Sequence, residues 1–244
     1  MSQESFELYG YFRSSCSGRL RIALNLKGID YTQTPINLLK DEQSSPTHKL
    51  LNPSGSVPVL IHHPTTTSST SQPIKITQSA AALEYLEEIN TPKSCALLPS
   101  SPDSATLRAH IRSLMNISVA DIQPITNARI LKRVQSIASS PSARAEWAKD
   151  LMSGGLAAYE ASILNPPNPE FVAGRFSVGN SITLADVCLV PAVWAAMRFE
   201  VDVKGEFPTV WRVYGAMMEE EAVKRAHWKV QPDTPEELRG GELV

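Results

Sequence analysis

The sequence predicts an α/β domain followed by an all-helical domain, and two observations lead to this fold class. Strand-like runs alternate with helical segments up to residue 91, an order typical of a small mixed sheet connected by helices. Beyond a segment rich in proline and serine, strand-like patterns do not recur and apolar residues follow helical spacing. We therefore expect a first domain at residues 1–91, a linker at residues 92–103 and a helix bundle at residues 104–244.

The first domain should run strand, helix, strand, turn, strand, strand, helix. Alternating, aromatic or β-branched residues predict strands at residues 6–11, 31–38, 57–61 and 74–76. Helix formers predict helices at residues 20–29 and 80–89, the second with Ser79 as its N-cap. Because a helix connects the first two strands, we expect them to be parallel. The low-complexity Thr/Ser run at residues 64–73 predicts a loop.

Helical signals dominate the second domain. Apolar stripes at residues 107–122 and 147–163 predict buried helix faces. Another helix has a well-marked start, with Thr183 as N-cap and Asp186 as the carboxylate that reaches back to it. These signals predict folding and core packing, and they carry no chemistry of their own.

Bulk composition excludes several classes of protein. A net charge of −2, a pI near 6.2 and the lack of a Lys/Arg run argue against nucleic-acid binding. The first residues lack the basic and apolar regions of a secretory signal, and no apolar run of about 18 residues occurs. We therefore expect a cytoplasmic protein that is not bound to a membrane. The three cysteines are widely spaced, as in a protein of a reducing compartment.

The stretch from Ser14 to Ser17 lies between a predicted strand and a predicted helix and has two interpretations. Its serines could cap the helix, since Ser is a favoured N-cap residue. It could also be a thiol-handling site, because Cys16 would lie in the first helical turn with Arg19 and Arg21 nearby, where a thiolate is favoured. No second cysteine stands at CxxC spacing, so a dithiol redox pair is not predicted.

Other catalytic arrangements are not supported. The histidines are scattered through polar segments, where we expect them at the surface, and they form no Ser-His-Asp set. His62 and His63 lack a third ligand at a recognisable spacing, so no metal site is predicted. Glycine-rich phosphate loops are also missing. A hydroxyl at a helix N-terminus remains, which suits a small anion or a bound thiol cofactor.

A family resemblance emerges from the motif YFRSSCS at residues 11–17 and the motif RIAL at residues 21–24. Both resemble the signature of zeta-class glutathione S-transferases, the maleylacetoacetate isomerases. Further similar segments, covering nearly the whole chain, are residues 27–31, 35–38, 51–53, 57–58, 77–79, 83–88, 122–124 with 127, 185–191, 198–199 and 231–235.

The resemblance implies a glutathione S-transferase fold: a thioredoxin-like N-terminal domain that binds glutathione, a helical C-terminal domain on the substrate side, and a homodimer. Catalysis would involve Ser14, which lowers the pKa of the glutathione thiol, with Ser15 and Cys16 lining the pocket. The other implied glutathione contacts are the backbone of Val57 before a cis Pro58, then Gln78 and Ser79 at a helix N-terminus, and Gln123 and Asn127 from the second domain.

The activity that the resemblance implies is glutathione-dependent isomerisation of maleylacetoacetate to fumarylacetoacetate in tyrosine and phenylalanine breakdown. A dicarboxylate substrate calls for cations, for which Arg13, Arg19 and Arg198 are candidates, although each could be a plain surface cation. Two segments depart from the family pattern: Gly18 stands where many relatives have tryptophan, and Ala128-Arg129 replaces the usual Leu-Ser.

Three other functions stay open. The chain could be a glutathione transferase or α-haloacid dehalogenase of the same fold, in which a thiolate displaces halide. It could be a non-catalytic module that uses the fold to bind partners. Cys16 could also act as a monothiol redox centre.

Overall fold

The computed structural model describes residues 4–65, 72–89, 95–100 and 104–243. Half of the linker predicted at residues 92–103 and most of the Thr/Ser loop therefore lie outside the described residues. The chain divides into two compact units, Met1–Cys95 with Glu220–Val244 and Ala96–Glu219. The predicted second domain ran to residue 244, whereas the structure groups the C-terminal segment with the first unit.

A four-stranded mixed sheet forms the centre of the first unit. Its strands are β1 (Ser5–Gly10), β2 (Tyr31–Pro35), β3 (Val59–His63) and β4 (Ile74–Thr77), in the order β2-β1-β3-β4. β1 and β2 are parallel, as predicted, and the other two pairs are antiparallel. Leu8 of β1 faces Leu60 of β3 and both are fully buried, so alternate residues of these strands build the core.

The helices predicted for both domains are present, and the segment predicted as a turn contains an additional helix, Pro46–Leu51. In chain order they are α1 (Ser15–Leu26), α2 (Pro46–Leu51), α3 (Ser79–Glu88), α4 (Ala105–Asn116), α5 (Ala128–Ala138), α6 (Ala143–Leu164), α7 (Leu184–Arg198), α8 (Val203–Glu206), α9 (Pro208–Glu219) and α10 (Glu221–Ala226). None of the helices in the described ranges is both long and apolar enough to cross a membrane.

Helix α10 explains why the C-terminal segment belongs to the first unit. It packs on α1, where Asn25 Nδ2 donates to the carbonyl oxygen of Ala222 over 2.9 Å. Val223 and Ala226 of α10 are fully buried. A helix of six residues has too short an apolar pattern to indicate its packing partner. The sequence therefore did not predict that α10 packs on α1.

The second unit is an all-helical bundle, as predicted, with the almost wholly buried α7 at its centre. The predicted capping box is present: the Thr183 N–H and hydroxyl both donate to Asp186 Oδ2, over 2.8 and 2.9 Å. Trp147 differs from its prediction as a core residue, because it is 42% exposed and its indole N–H donates to the Ile125 carbonyl. The indole thus combines an apolar ring at the surface with a satisfied N–H.

Candidate active site

The turn between β1 and α1 carries the first group of predicted site residues. Ser14 is the N-cap of α1, with an extended backbone (φ −76°, ψ 120°), and its Oγ accepts from the N–H of Ser17 over 3.2 Å. A hydroxyl that accepts in this way keeps its hydrogen for donation to a ligand. Ser15 and Cys16 form the first turn of α1, and both are partly exposed, as is Ser14. Capping and ligand binding are therefore compatible in the same side chain.

A buried arginine connects this turn with the start of α3. Arg19 is 1% exposed, and its Nη1 donates to Ser79 Oγ over 3.1 Å and to Cys16 Sγ over 3.6 Å. The arrangement brings three predicted site residues together and places a positive charge beside two helix N-termini. Backbone N–H groups at such termini already favour anions, so the guanidinium strengthens the preference of this region for negative charge.

Gln78 precedes α3 in a backbone conformation that residues other than glycine rarely adopt. Its φ is 72° and its ψ is 119°, and it occupies the N-cap position, so the prediction of Ser79 as N-cap is wrong by one residue. A non-glycine residue at positive φ costs about 1–3 kcal/mol. The Gln78 side chain is exposed and does not cap the helix. Strain of this kind is concentrated at ligand-binding positions, which makes Gln78 a candidate ligand contact.

The peptide bond between Val57 and Pro58 is cis, as predicted. Both residues are buried, and both precede β3, whose pairing with its two neighbouring strands begins only at Val59. Val57 packs in one cluster with Tyr11 and Phe12, the residues that lead towards Ser14. The backbone of Val57 thus lies beyond the paired part of the sheet.

Arg21 and Asp233 hold the Ser14 turn. The sequence indicated Arg21 only as a positive charge near Cys16 and gave Asp233 no role. Arg21 is fully buried, and its guanidinium donates to the carbonyl oxygens of Phe12 (2.8 Å), Ala226 (3.0 Å) and Tyr11 (3.4 Å). Burial lowers the pKa of Arg21 from its ordinary 12.5 to about 10, since leaving water disfavours the charged form. Asp233 Oδ2 accepts from the N–H of Phe12 over 2.8 Å. That contact spans 221 residues, so no local pattern could signal it.

Arg13 lies between these holding contacts and Ser14. It is partly buried, and its guanidinium carbon is 5.5 Å from the ring centre of Phe12. A cation above an aromatic face is held loosely enough to meet a carboxylate as well.

The remaining predicted site residues belong to the second unit. Gln123 is partly buried and directly follows a turn of π-helix. Asn127 caps α5, with Oδ1 accepting from the Ile130 N–H over 3.0 Å and Nδ2 donating to the Pro124 carbonyl over 2.6 Å. Arg198 is the exposed last residue of α7. The structure thus gives Asn127 a local role as a helix cap, and its contact with glutathione stays a prediction.

The histidines differ from the expectation that they lie at the surface. Those with buried side chains are His48, His62, His110 and His227. His62, for example, contacts the Tyr85 hydroxyl at 2.6 Å and Glu4 Oε1 at 2.9 Å. Within the described ranges, no group of three or more His, Cys, Asp and Glu residues could hold a metal ion.

Comparison with known proteins shows which family this chain belongs to. The model described as "Glutathione S-transferase, N-terminal domain" matches residues 13–89, and "Glutathione S-transferase, C-terminal domain" matches residues 160–221. A maleylacetoacetate isomerase from Aspergillus fumigatus is 56% identical over 234 residues, which cover 95% of this chain and 94% of that protein. The chain belongs to the zeta-class glutathione S-transferases, the maleylacetoacetate isomerase family.

Solved structures of this family are similar over almost their full length. A bacterial zeta-class maleyl pyruvate isomerase matches with a TM-score of 0.80 and 38% identity, over 94% of this chain and all of that one. A maleylacetoacetate isomerase from Anaeromyxobacter dehalogenans, with dicarboxyethyl glutathione and citrate bound in its active site, matches with a TM-score of 0.79 and 34% identity. That match covers 97% of this chain and 96% of the other. The predicted thioredoxin-like and helical domains are thereby confirmed as the family's fold.

Proposed function

We propose that this chain is a glutathione-dependent isomerase that converts maleylacetoacetate into fumarylacetoacetate in the breakdown of tyrosine and phenylalanine. The observation that carries the proposal is the pair of helix N-termini connected by Arg19, with Ser14 capping α1 and Ser79 opening α3. It occurs in a chain that is 56% identical to a maleylacetoacetate isomerase. The bound dicarboxyethyl glutathione of a related structure supports the pairing of a thiol with a dicarboxylate at such a site.

The residues at the site fit the parts of glutathione. Ser79 and the first N–H groups of α3 can hold a carboxylate, and the adjacent Gln78 can reach the same γ-glutamyl end. Val57 lies beyond the paired part of β3, so its backbone can pair with the peptide-like cysteinyl unit. Gln123 and Asn127 stay proposed glutathione contacts because they match the family's motif positions.

The work of this chain is to stabilise negative charge and to orient carboxylates. The hydroxyl of Ser14 and the N-terminus of α1 lower the pKa of a thiol placed there, because both donate to the thiolate form. When bound, glutathione would supply a thiolate that adds to the conjugated cis double bond, so that this bond becomes single and can rotate before the thiolate is eliminated and the trans double bond forms. Arg13 and Arg198 would hold the substrate carboxylates, while Ser15 and Cys16 line the thiol pocket.

The decisive experiment is turnover of maleylacetoacetate or its analogue maleylacetone with and without glutathione. We expect isomerisation only when glutathione is present, with most activity lost in Ser14→Ala. Cys16→Ala changes a pocket-lining residue in the same helical turn and should lose less activity than Ser14→Ala. Loss in Cys16→Ala with a fully active Ser14→Ala would instead support a monothiol redox centre, and absence of glutathione-dependent turnover would refute the isomerase.

A second substrate class separates isomerase from dehalogenase. The same thiolate could displace halide from an α-haloacid, so rates on haloacids that equal or exceed those on the maleyl compound would favour that function. Failure to bind glutathione in calorimetry would favour a non-catalytic module. We further propose that the protein is cytoplasmic and forms a homodimer. Sedimentation of the purified protein should then give a mass of twice the 26.7 kDa of one chain.

A further inference from the structure

We infer that Asp233 is a positioning residue of this site, which sets the place of the Ser14 hydroxyl by holding the backbone of Phe12. The readout in catalysis rests on the proposed function. The hydrogen bonds that support the inference do not depend on that function, and all of them lie within the first unit. Asp233 belongs to the segment that follows α10.

Two side chains of opposite charge hold Phe12 from either side. Asp233 Oδ2 accepts from the Phe12 N–H over 2.8 Å, and Arg21 Nη2 donates to the Phe12 carbonyl over 2.8 Å. Both partners are ionised groups, which form shorter and stronger hydrogen bonds than neutral ones. Phe12 is 2% exposed, so its N–H would be left without a partner if the carboxylate were removed. Two residues further along the chain stands Ser14.

The hydrogen bonds of the turn transmit this hold to Ser14. Its N–H donates to the Tyr11 carbonyl over 3.0 Å, and that carbonyl also accepts from Arg21 at 3.4 Å. The Tyr11 N–H donates in turn to Ser17 Oγ over 3.3 Å. Each end of the short turn is therefore bonded, and a shift of the Phe12 peptide would shift the Ser14 cap.

Asp233 is itself held in place. Its Oδ1 accepts from Gln33 Nε2 of β2 over 3.4 Å. On either side of it, Arg239 Nη2 donates to the Pro232 carbonyl and Arg239 Nε to the Thr234 carbonyl, both over 2.8 Å. Trp228 and Leu238 of the same segment pack against the cluster of Tyr11, Phe12 and Val57. The carboxylate is thus a fixed acceptor, as a positioning group must be.

Three substitutions test the inference. Asp233→Ala removes the acceptor of the Phe12 N–H. Asp233→Asn removes only the charge, since the asparagine Oδ1 can accept from Phe12 and the Gln33 amide can rotate to accept from its NH₂ group. Glu237→Ala is the control, because it removes an exposed carboxylate from the same segment.

The measurements are the pKa of the thiol of bound glutathione, followed by its ultraviolet absorbance, and the kinetics with the maleyl substrate. In Asp233→Ala we expect that pKa to rise and kcat/KM to fall about 10- to 100-fold, since small misplacements of a reacting group have effects of this size. Asp233→Asn should recover most of the loss, and Glu237→Ala should match the unaltered protein. A folded Asp233→Ala with an unchanged thiol pKa, or an Asp233→Asn as impaired as Asp233→Ala, would overturn the inference.

Amide hydrogen exchange at Phe12 provides a readout that needs no glutathione. We expect faster exchange in Asp233→Ala than in Glu237→Ala, and retained protection in Asp233→Asn. Equal protection in all of these proteins would also overturn the inference. If the unaltered protein failed to bind glutathione while Phe12 exchanged as described, the proposed function would fail and the positioning contact would stand.

Discussion

Arg19 donates a hydrogen bond to Ser79, from Nη1 to Oγ over 3.1 Å, and this bond joins the second turn of α1 to the first residue of α3. The two residues are 60 positions apart in the chain, and both are buried. The same Nη1 also reaches Cys16 Sγ, so the relative placement of the two helix N-termini depends on one guanidinium.

The first prediction concerns the coupling of Arg19 and Ser79. Ser79→Ala removes an acceptor, and Arg19→Lys replaces a fork of donors by a single ammonium that cannot reach both partners. We expect each change to raise the KM for glutathione about 10-fold. The double variant should lose less binding free energy than the two single variants lose together, and the difference, the coupling energy, should be about 0.5–3 kcal/mol. Glutathione titrations of the four proteins in a double-mutant cycle measure this coupling, and strictly additive effects would contradict it.

Gln78 allows backbone strain to be separated from ligand binding. Gln78→Gly places a residue that tolerates φ of 72° and should leave thermal stability equal or higher, whereas Gln78→Ala keeps the strain. Both should weaken glutathione binding, because both lose the amide side chain. Thermal unfolding and calorimetric titration check the two effects. A Gly variant that is less stable than the Ala variant would show that the conformation is not strained.

Asp186 should be the most sensitive carboxylate of the second unit. It is fully buried and accepts from the Ser177 N–H (2.7 Å) and from the N–H and hydroxyl of Thr183. Asp186→Ala leaves buried donors without partners and should lower the free energy of unfolding by about 3–5 kcal/mol. Thr183→Ala, which removes only the capping hydroxyl, should cost about 1 kcal/mol. Urea unfolding of both variants tests this order.

Because His110 is buried, we expect the stability of the protein to depend on pH. Burial lowers its pKa from the ordinary 6.5, so between the lowered value and 6.5 the unfolded chain binds more protons than the folded one. Stability therefore rises with pH across this window and is lost as pH falls through it. Urea unfolding between pH 7.5 and 5.5 should show a smaller loss for His110→Leu than for the unaltered protein. Equal slopes for the two proteins would contradict the prediction.

Local signals were sufficient to predict much of this fold. Ser14 as a helix cap and the box of Thr183 and Asp186 depend on residues within a few positions of each other. Such short-range preferences are encoded where they act. The cis bond before Pro58, by contrast, was implied by the family resemblance. The predicted glutathione contacts came from motifs and stay predictions.

The sequence could not reveal contacts between distant segments. The sequence indicated Arg21 only as a positive charge near Cys16, whereas the structure buries it among three backbone carbonyls, one of them from Ala226. Histidines in polar stretches became buried in the same way, as His62 shows with partners on two other segments. Tertiary packing supplies these partners, and no short pattern records them.

The 221-residue separation between Phe12 and Asp233 sets an order of events during synthesis. A ribosome that adds about 5–20 residues per second needs about 10–45 s to make the carboxylate after the motif that it secures. Throughout that interval, a nascent chain already carries Ser14 and Cys16 but not the acceptor for Phe12. The Ser14 turn therefore completes its hydrogen bonds only once Asp233 has been synthesised, long after the residues of the turn itself.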